Sequence, residues 1–323
     1  MAALLSIQGA NFVGPARPSL KHFQPRMRCS RGVQLEKAGL LTLLCLVGAI
    51  FAVLFFRALR RRTTTGTGSL RPGATHLAVG FVTDLFDTLG IGSFATTTTL
   101  FRLGRMVDDR VVPGTLNVGH ALPTVVQALI YITIVRVDMT TLVVMIGAAV
   151  AGSVLGSSVV SLWPRRVVRL CVGGALVVAS AVMLENALGK LPAGGEALSL
   201  PGGLLVVGAV ANFVLGALMT AGVGLYGPCM ILVSLLGMSP AAAFPIMMGS
   251  CAFLMPAASV QFVRRDAFDA RAALGLAIGG IPGVLVAAFI VRSLPLSALR
   301  WLVLAAATYA ATTLVVAGIR NTP

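Results

Sequence analysis

The chain reads as an all-α, polytopic membrane protein of about nine transmembrane helices, two repeats of a four-helix unit preceded by one N-terminal helix. Three observations carry this. Of 323 residues, 57% are hydrophobic and 11% charged, where a soluble domain carries roughly a quarter charged residues. The apolar residues gather into runs long enough to cross a bilayer, at about 20 residues per crossing. The same features also recur in the same order along the two halves.

Residues 1–37 are polar and basic, contain Pro15, Pro18 and Pro25, and read as a flexible basic tail in which Met27 is a second candidate start. Residues 38–62 form an N-terminal anchor: the apolar run Ala38 to Phe56 is followed by Arg57 and Arg60-Arg61-Arg62 where a signal peptide would place small residues. Thr and Gly fill the linker at 63–75. Eight apolar segments follow, at about 76–101, 111–135, 138–162, 166–189, 202–236, 241–263, 270–291 and 297–318. The first four form one unit (76–190) and the last four a second (202–318).

Net charge is +15. The arginines stand in short clusters between apolar runs, as juxtamembrane anchors do, without the interleaved aromatics of a nucleic-acid surface. The cluster after the first helix argues for a cytoplasmic linker, and with it cytoplasmic loops at Arg136 and Arg264. The five cysteines form no C-x-x-C pair, so neither a disulfide framework nor a zinc site is indicated. No cofactor or metal motif is present.

Gly80-x-x-x-Asp84 recurs as Gly208-x-x-x-Asn212, Gly90-x-Gly92 as Gly222-x-Gly224, and Pro123 to Gln127 as Pro256 to Gln261 with one insertion. Asp138 and Asp269, Pro164 and Pro295, and Arg169 and Arg300 are each 131 positions apart. A duplicated four-helix unit accounts for this order.

Asp84 and Asp87 lie deep in a spanning segment, three residues apart and so on one helix face. A carboxylate at the bilayer centre costs about 2.5–3.5 kcal/mol on insertion scales, which marks the pair as candidates for proton coupling. A neutral carboxyl tying helices together is the alternative. His120, on the next segment, reads either as a proton relay or anion donor or as a satisfied interhelical bond. Gly90 and Gly92, and Gly222, Gly224 and Gly227, interrupt the first and fifth segments, where they mark kinks or unwound turns. The half-helices beginning there expose amides and a positive dipole end, and two such ends facing each other make an anion site. Ser93, Thr96, Asn117 and Tyr226 are the side chains expected to line it. Close helix packing is the alternative role for these glycines. It is the sufficient one for Gly152-x-x-x-Gly156 and Gly275-x-x-x-Gly279.

A duplicated four-helix unit whose first helix carries a glycine-rich break resembles the TauE/SafE sulfite exporter family of permeases, over about residues 76–318. Gly90-Ile91-Gly92-Ser93 and Gly222-Val223-Gly224 depart from the family's usual glycine run, as a divergent branch would. The resemblance implies a secondary transporter of a small sulfur-containing anion such as sulfite or an organosulfonate, with no cofactor. A passive channel or non-transport membrane subunit is the alternative class. An intramembrane hydrolase is disfavoured, because Asp84 and Asp87 share one helix and no G-x-S-x-G elbow is present. The expected partners are the anion and the lipid bilayer, with a homo-oligomer allowed and no nucleic acid. The expected location is the cell membrane, a bacterial inner membrane, as a multi-pass protein.

Overall fold

The computed structural model describes residues 27–64, 70–160, 165–188, 195–220, 224–294 and 296–320. Among them the protein is all-helical. The helices are α1 (Met27–Thr64), α2 (Ala74–Thr88), α3 (Ser93–Gly104), α4 (Val112–Ile134), α5 (Met139–Val160), α6 (Arg165–Ala187), α7 (Gly202–Thr220), α8 (Tyr226–Leu235), α9 (Pro240–Arg264), α10 (Ala270–Ser293) and α11 (Leu296–Ile319). Six helices among the described residues are long and apolar enough to cross a membrane. Nine apolar segments become eleven helices because the two glycine breaks each divide one segment. α1 begins at Met27 and so takes in residues 27–37, which composition alone placed in the tail; Lys37 Nζ donates to the Thr133 carbonyl at 3.0 Å. Residues 1–26 and residues 65–69 of the linker lie outside the described residues.

The breaks do more than kink a helix: the chain reverses at each. Val79, near the start of α2, shares one apolar cluster with Phe101, near the end of α3. Were α3 to continue α2, these residues would stand about 33 Å apart at 1.5 Å per residue. In the second half, Ala197 ahead of α7 pairs with Met238 beyond α8, and the Ser239 amide donates to the Ala197 carbonyl at 2.8 Å. α2/α3 and α7/α8 are therefore helical hairpins closed at their bases. The tip of the first is residues 89–92; toward the tip of the second, Gly224 and Leu225 are described.

Glycine sets the helix directions by allowing close approach. A Cβ on Gly275, Gly279 or Gly283 would strike His76, Leu77 or Phe81, so α2 and α10 lie parallel with backbones nearly touching. α5 and α7 are parallel as well: Thr141 meets Leu200 at 3.2 Å, the Met145 carbonyl meets Asn212 at 2.7 Å and Ala149 lies on Gly216, while Gly152 closes on Phe213. α4 and α9 are antiparallel: Gly114 lies on Phe262, Thr124 Oγ1 is 3.5 Å from Met255 Sδ, and Tyr131 stacks on Phe244 at 5.2 Å. α6 and α11 are antiparallel too, with Gly173 on Val315 and Gly318 on Leu170.

These directions put the two hairpin bases on opposite ends of the bundle. At one end lie the starts of α2, α4 and α10 and the end of α1, where Arg62 pairs with Asp266 and its guanidinium sits 4.5 Å over the Phe268 ring. At the other lie the starts of α5, α7 and α9; here the Asp138 amide donates to the Leu198 carbonyl at 2.8 Å. The loops at Arg136 and Arg264 cannot share a face as the charge pattern suggested, because the 23 residues of α4 hold them about 35 Å apart. Arg60, Arg61 and Arg62 at the end of α1, Arg165 and Arg166 at the start of α6 and Arg264 and Arg265 at the end of α9 all fall at the first of these ends, and Arg136 stands at the other.

Candidate functional site

The tip of the first hairpin is built by backbone conformation. α2 ends in a Schellman turn in which the Gly90 amide donates to the Asp87 carbonyl at 2.8 Å and the Ile91 amide to the Phe86 carbonyl at 3.1 Å. Gly90 (φ 94°) and Gly92 (φ 87°) are left-handed, a region open to glycine at little steric cost. α3 therefore starts afresh at Ser93, with its N-terminus inside the bundle.

That N-terminus is already engaged. The Ser93 amide donates to Asp87 Oδ1 at 2.5 Å, so a carboxylate of the chain itself sits at the positive end of α3. The other Asp87 oxygen accepts from Gln127 Nε2 at 2.9 Å, and the same Nε2 reaches Thr88 Oγ1 at 2.9 Å. Gln127 Oε1 in turn accepts from the Tyr226 hydroxyl at 2.9 Å. Tyr226 is the first residue of α8, so one amide side chain on α4 joins the tips of the two hairpins.

Asp84 serves a second group. Its carboxylate lies 2.9 and 3.0 Å from His120 Nδ1, and His120 Nε2 lies 3.0 Å from Thr97 Oγ1. Asp84, His120 and Thr97 are all fully buried. Gly280 of α10 makes the space, since a Cβ there would overlap the Asp84 carboxylate. The two acids thus share a helix face and divide their partners: Asp84 goes to an imidazole, Asp87 to amides.

The structure gathers Asp84, Asp87, Ser93, His120 and Tyr226 of the residues singled out from sequence. Thr96 and Asn117 stand apart, each spending its side chain on a carbonyl of its own helix: Ser93 at 2.8 Å and Pro113 at 2.9 Å. Gly90 packs on Met230 and Gly227 on Ala310, while a Cβ on Gly92 or Gly224 would meet nothing within 4 Å. Gly222 lies outside the described residues. Asn212, the repeat mate of Asp84, is buried and donates to the Met145 carbonyl at 2.7 Å, a helix-to-helix tie. Asp138 and Asp269 accept from the amides of Thr141 and Ala272 at 2.9 and 2.7 Å, as N-caps of α5 and α10.

Sequence reasoning missed Thr97, Thr88 and Gln127. Gln127 was legible as the second amide side chain of α4, after Asn117, and it stands near the middle of a spanning helix. Thr97 is one of four consecutive threonines and carries no distinguishing mark. Among the described residues, no three His, Cys, Asp or Glu side chains converge as metal ligands would. No family model, curated protein or solved structure matches the chain.

Proposed function

We propose that the protein is an integral membrane secondary transporter for a small anion, coupled to protons, with sulfite or an organosulfonate the substrate class suggested by the TauE/SafE-like sequence features. The observation that carries this is the meeting of two half-helix N-termini, α3 and α8, brought from opposite ends of the bundle to one hydrogen-bonded group at Gln127. Among the described residues, no atom lies within 4 Å of where a Cβ on Gly92 or Gly224 would stand. The coupling follows from charge. With the imidazole protonated and both carboxylates ionised, the buried group is net negative, and an anion entering such a low-dielectric site adds repulsion unless a proton enters with it.

The reading includes an inverted repeat of residues 76–190 and 202–318. Gly283 of α10 lies on Leu85 of α2, and Gly152, 131 positions before Gly283, lies on Phe213 of α7, 128 positions after Leu85. Mates α4 and α9 pack on each other antiparallel, as do mates α6 and α11, which is the expectation for a two-fold axis lying across the helices. A hairpin plus three further helices makes each unit an odd number of crossings, so consecutive copies insert in opposite senses.

The test is flux in proteoliposomes with sulfite, an organosulfonate, a carboxylate and phosphate, with and without an imposed pH gradient. Saturable uptake of one anion, accelerated by the gradient, is expected. Saturation-free, pH-independent conductance would make the protein a channel, and absence of any flux would make it a subunit. The acidic excess favours one second reading, a carrier of protons or monovalent cations alone; acidification without anion uptake would select it.

A further inference from the structure

We propose that Thr97 is a positioning residue that passes the protonation state of the Asp84–His120 pair to the tip of the first hairpin. The inference rests on the proton-coupled reading above and names the residue through which coupling reaches the backbone.

α3 opens with Ser93-Phe94-Ala95-Thr96-Thr97-Thr98-Thr99. The hydroxyls of Thr96, Thr98 and Thr99 donate to carbonyls of their own helix, at 2.8 Å to Ser93, 2.7 Å to Phe94 and 2.8 Å to Ala95. Such back-bonding is the ordinary fate of a helical threonine. Thr97 differs, because its hydroxyl lies on His120 Nε2 at 3.0 Å. The ring therefore has a carboxylate at one nitrogen and a hydroxyl at the other, with no water-exposed edge, since all three groups are fully buried.

The two nitrogens then have fixed duties. Nδ1 carries its proton toward Asp84 in either state of the ring. In the neutral ring Nε2 is bare, and the Thr97 hydroxyl donates to it. In the charged ring Nε2–H donates, and the hydroxyl must turn to accept; its own hydrogen then needs another acceptor. For a threonine in a helix that acceptor is the carbonyl four residues back, here Ser93. Ser93 is also the residue whose amide holds Asp87. A proton arriving at His120 is thereby felt at the carbonyl of Ser93, the residue whose own amide, one peptide unit earlier, holds Asp87 at the start of α3. Only hydrogen bonds are exchanged. The charged groups acting on His120 are Asp84 and Asp87 of α2. From α3 it meets Thr97 and, at 6.4 Å, the Phe94 ring; α10 presents Gly280 to Asp84, and α9 presents Met255 to Thr124 one turn on.

The experiment is amide hydrogen exchange of the full chain in lipid nanodiscs without substrate, read by mass spectrometry at about pH 6 and pH 8 and corrected for intrinsic rates, a window that brackets an ordinary imidazole. Protection of the peptide spanning residues 89–99 should differ between the two conditions by about two- to tenfold, the effect of one hydrogen bond gained or lost. The difference should vanish in Thr97→Val, persist in Thr97→Ser and vanish in His120→Gln. An undiminished difference in Thr97→Val, or none in the wild type, overturns the proposal. Should Thr97→Val fail to fold, His120→Gln decides, and a retained difference there overturns it equally. Because no substrate is present, absence of flux for every anion alongside the expected exchange pattern would remove the transporter reading and leave the switch standing.

Discussion

Gln127 ties the two hairpin tips together, and Gln127→Leu measures that tie. The side chain is fully buried and makes three hydrogen bonds, to Asp87, Thr88 and Tyr226. A bond to a carboxylate contributes about 1.5–3 kcal/mol and a neutral one about 0.5–1.5. Interhelical bonds inside membranes average nearer ~0.6 kcal/mol, because the unfolded helices find other partners. Leucine fills nearly the same volume, so little of the cost comes from a cavity, and the expected loss is about 2–5 kcal/mol. Tyr226→Phe removes one neutral bond and should cost about 0.5–1.5 kcal/mol. In the double variant the Tyr226 bond is already gone, so the combined cost should fall short of additivity by about 1 kcal/mol. Equilibrium unfolding in mixed detergent micelles, followed by circular dichroism, gives all three values. Single costs that add to within about 0.3 kcal/mol would show that the two tips are independent, and the site would lose its link between halves.

Three further outcomes are expected. Gly279→Leu should prevent assembly of α2 on α10, seen as loss of monodisperse protein on size exclusion, whereas Gly224→Ala, with open space at its Cβ, should change the unfolding midpoint little. Gly92→Ala should cost about 1–2 kcal/mol in the same unfolding assay through its left-handed backbone, not through crowding. Asp87→Asn should leave the protein folded, because an amide still accepts from Ser93, while gradient-driven anion accumulation in proteoliposomes falls to the level of simple exchange; accumulation equal to wild type would make Asp87 structural.

Much of the fold was legible because the bilayer leaves a backbone few choices. Apolar run length located nearly every helix, and the paired glycines located both places where helical geometry fails. Run length does not say what the chain does after a break. Leu89 to Gly92 reads equally well as a kink or a reversal, and packing distant in sequence decides: Phe101 returns to Val79, and Met238 to Ala197. The candidate site was legible where a residue is costly in lipid, as Asp84, Asp87 and His120 are. It was illegible where the residue is cheap. Nothing local separates Thr97 from Thr96, Thr98 and Thr99; helix phase alone turns one hydroxyl toward His120 and leaves the others on α3.

If the two halves are read as copies of one unit, they are unlike in chemistry, and the difference has a direction. At matching positions the first half carries Asp84 against an imidazole, the second Asn212 against the Met145 carbonyl. The frame needs only a polar side chain there to hold parallel helices, and the amide suffices. A carboxylate at the same place brings an insertion cost that the amide avoids, and it comes with a histidine, a glycine at 280 that clears room for it and a threonine diverted from its own helix. Three residues on three other helices are adapted to one charge. A group held only to glue helices requires none of these. On the proposed transporter reading, duplication supplies two equivalent approaches to the centre from opposite ends, while the titrating chemistry resides in one hairpin and is tied to the other through Gln127 and Tyr226. Under that reading, one proton-binding group served from two sides is the arrangement that alternating access requires, since the same proton must be taken up at one face and given back at the other.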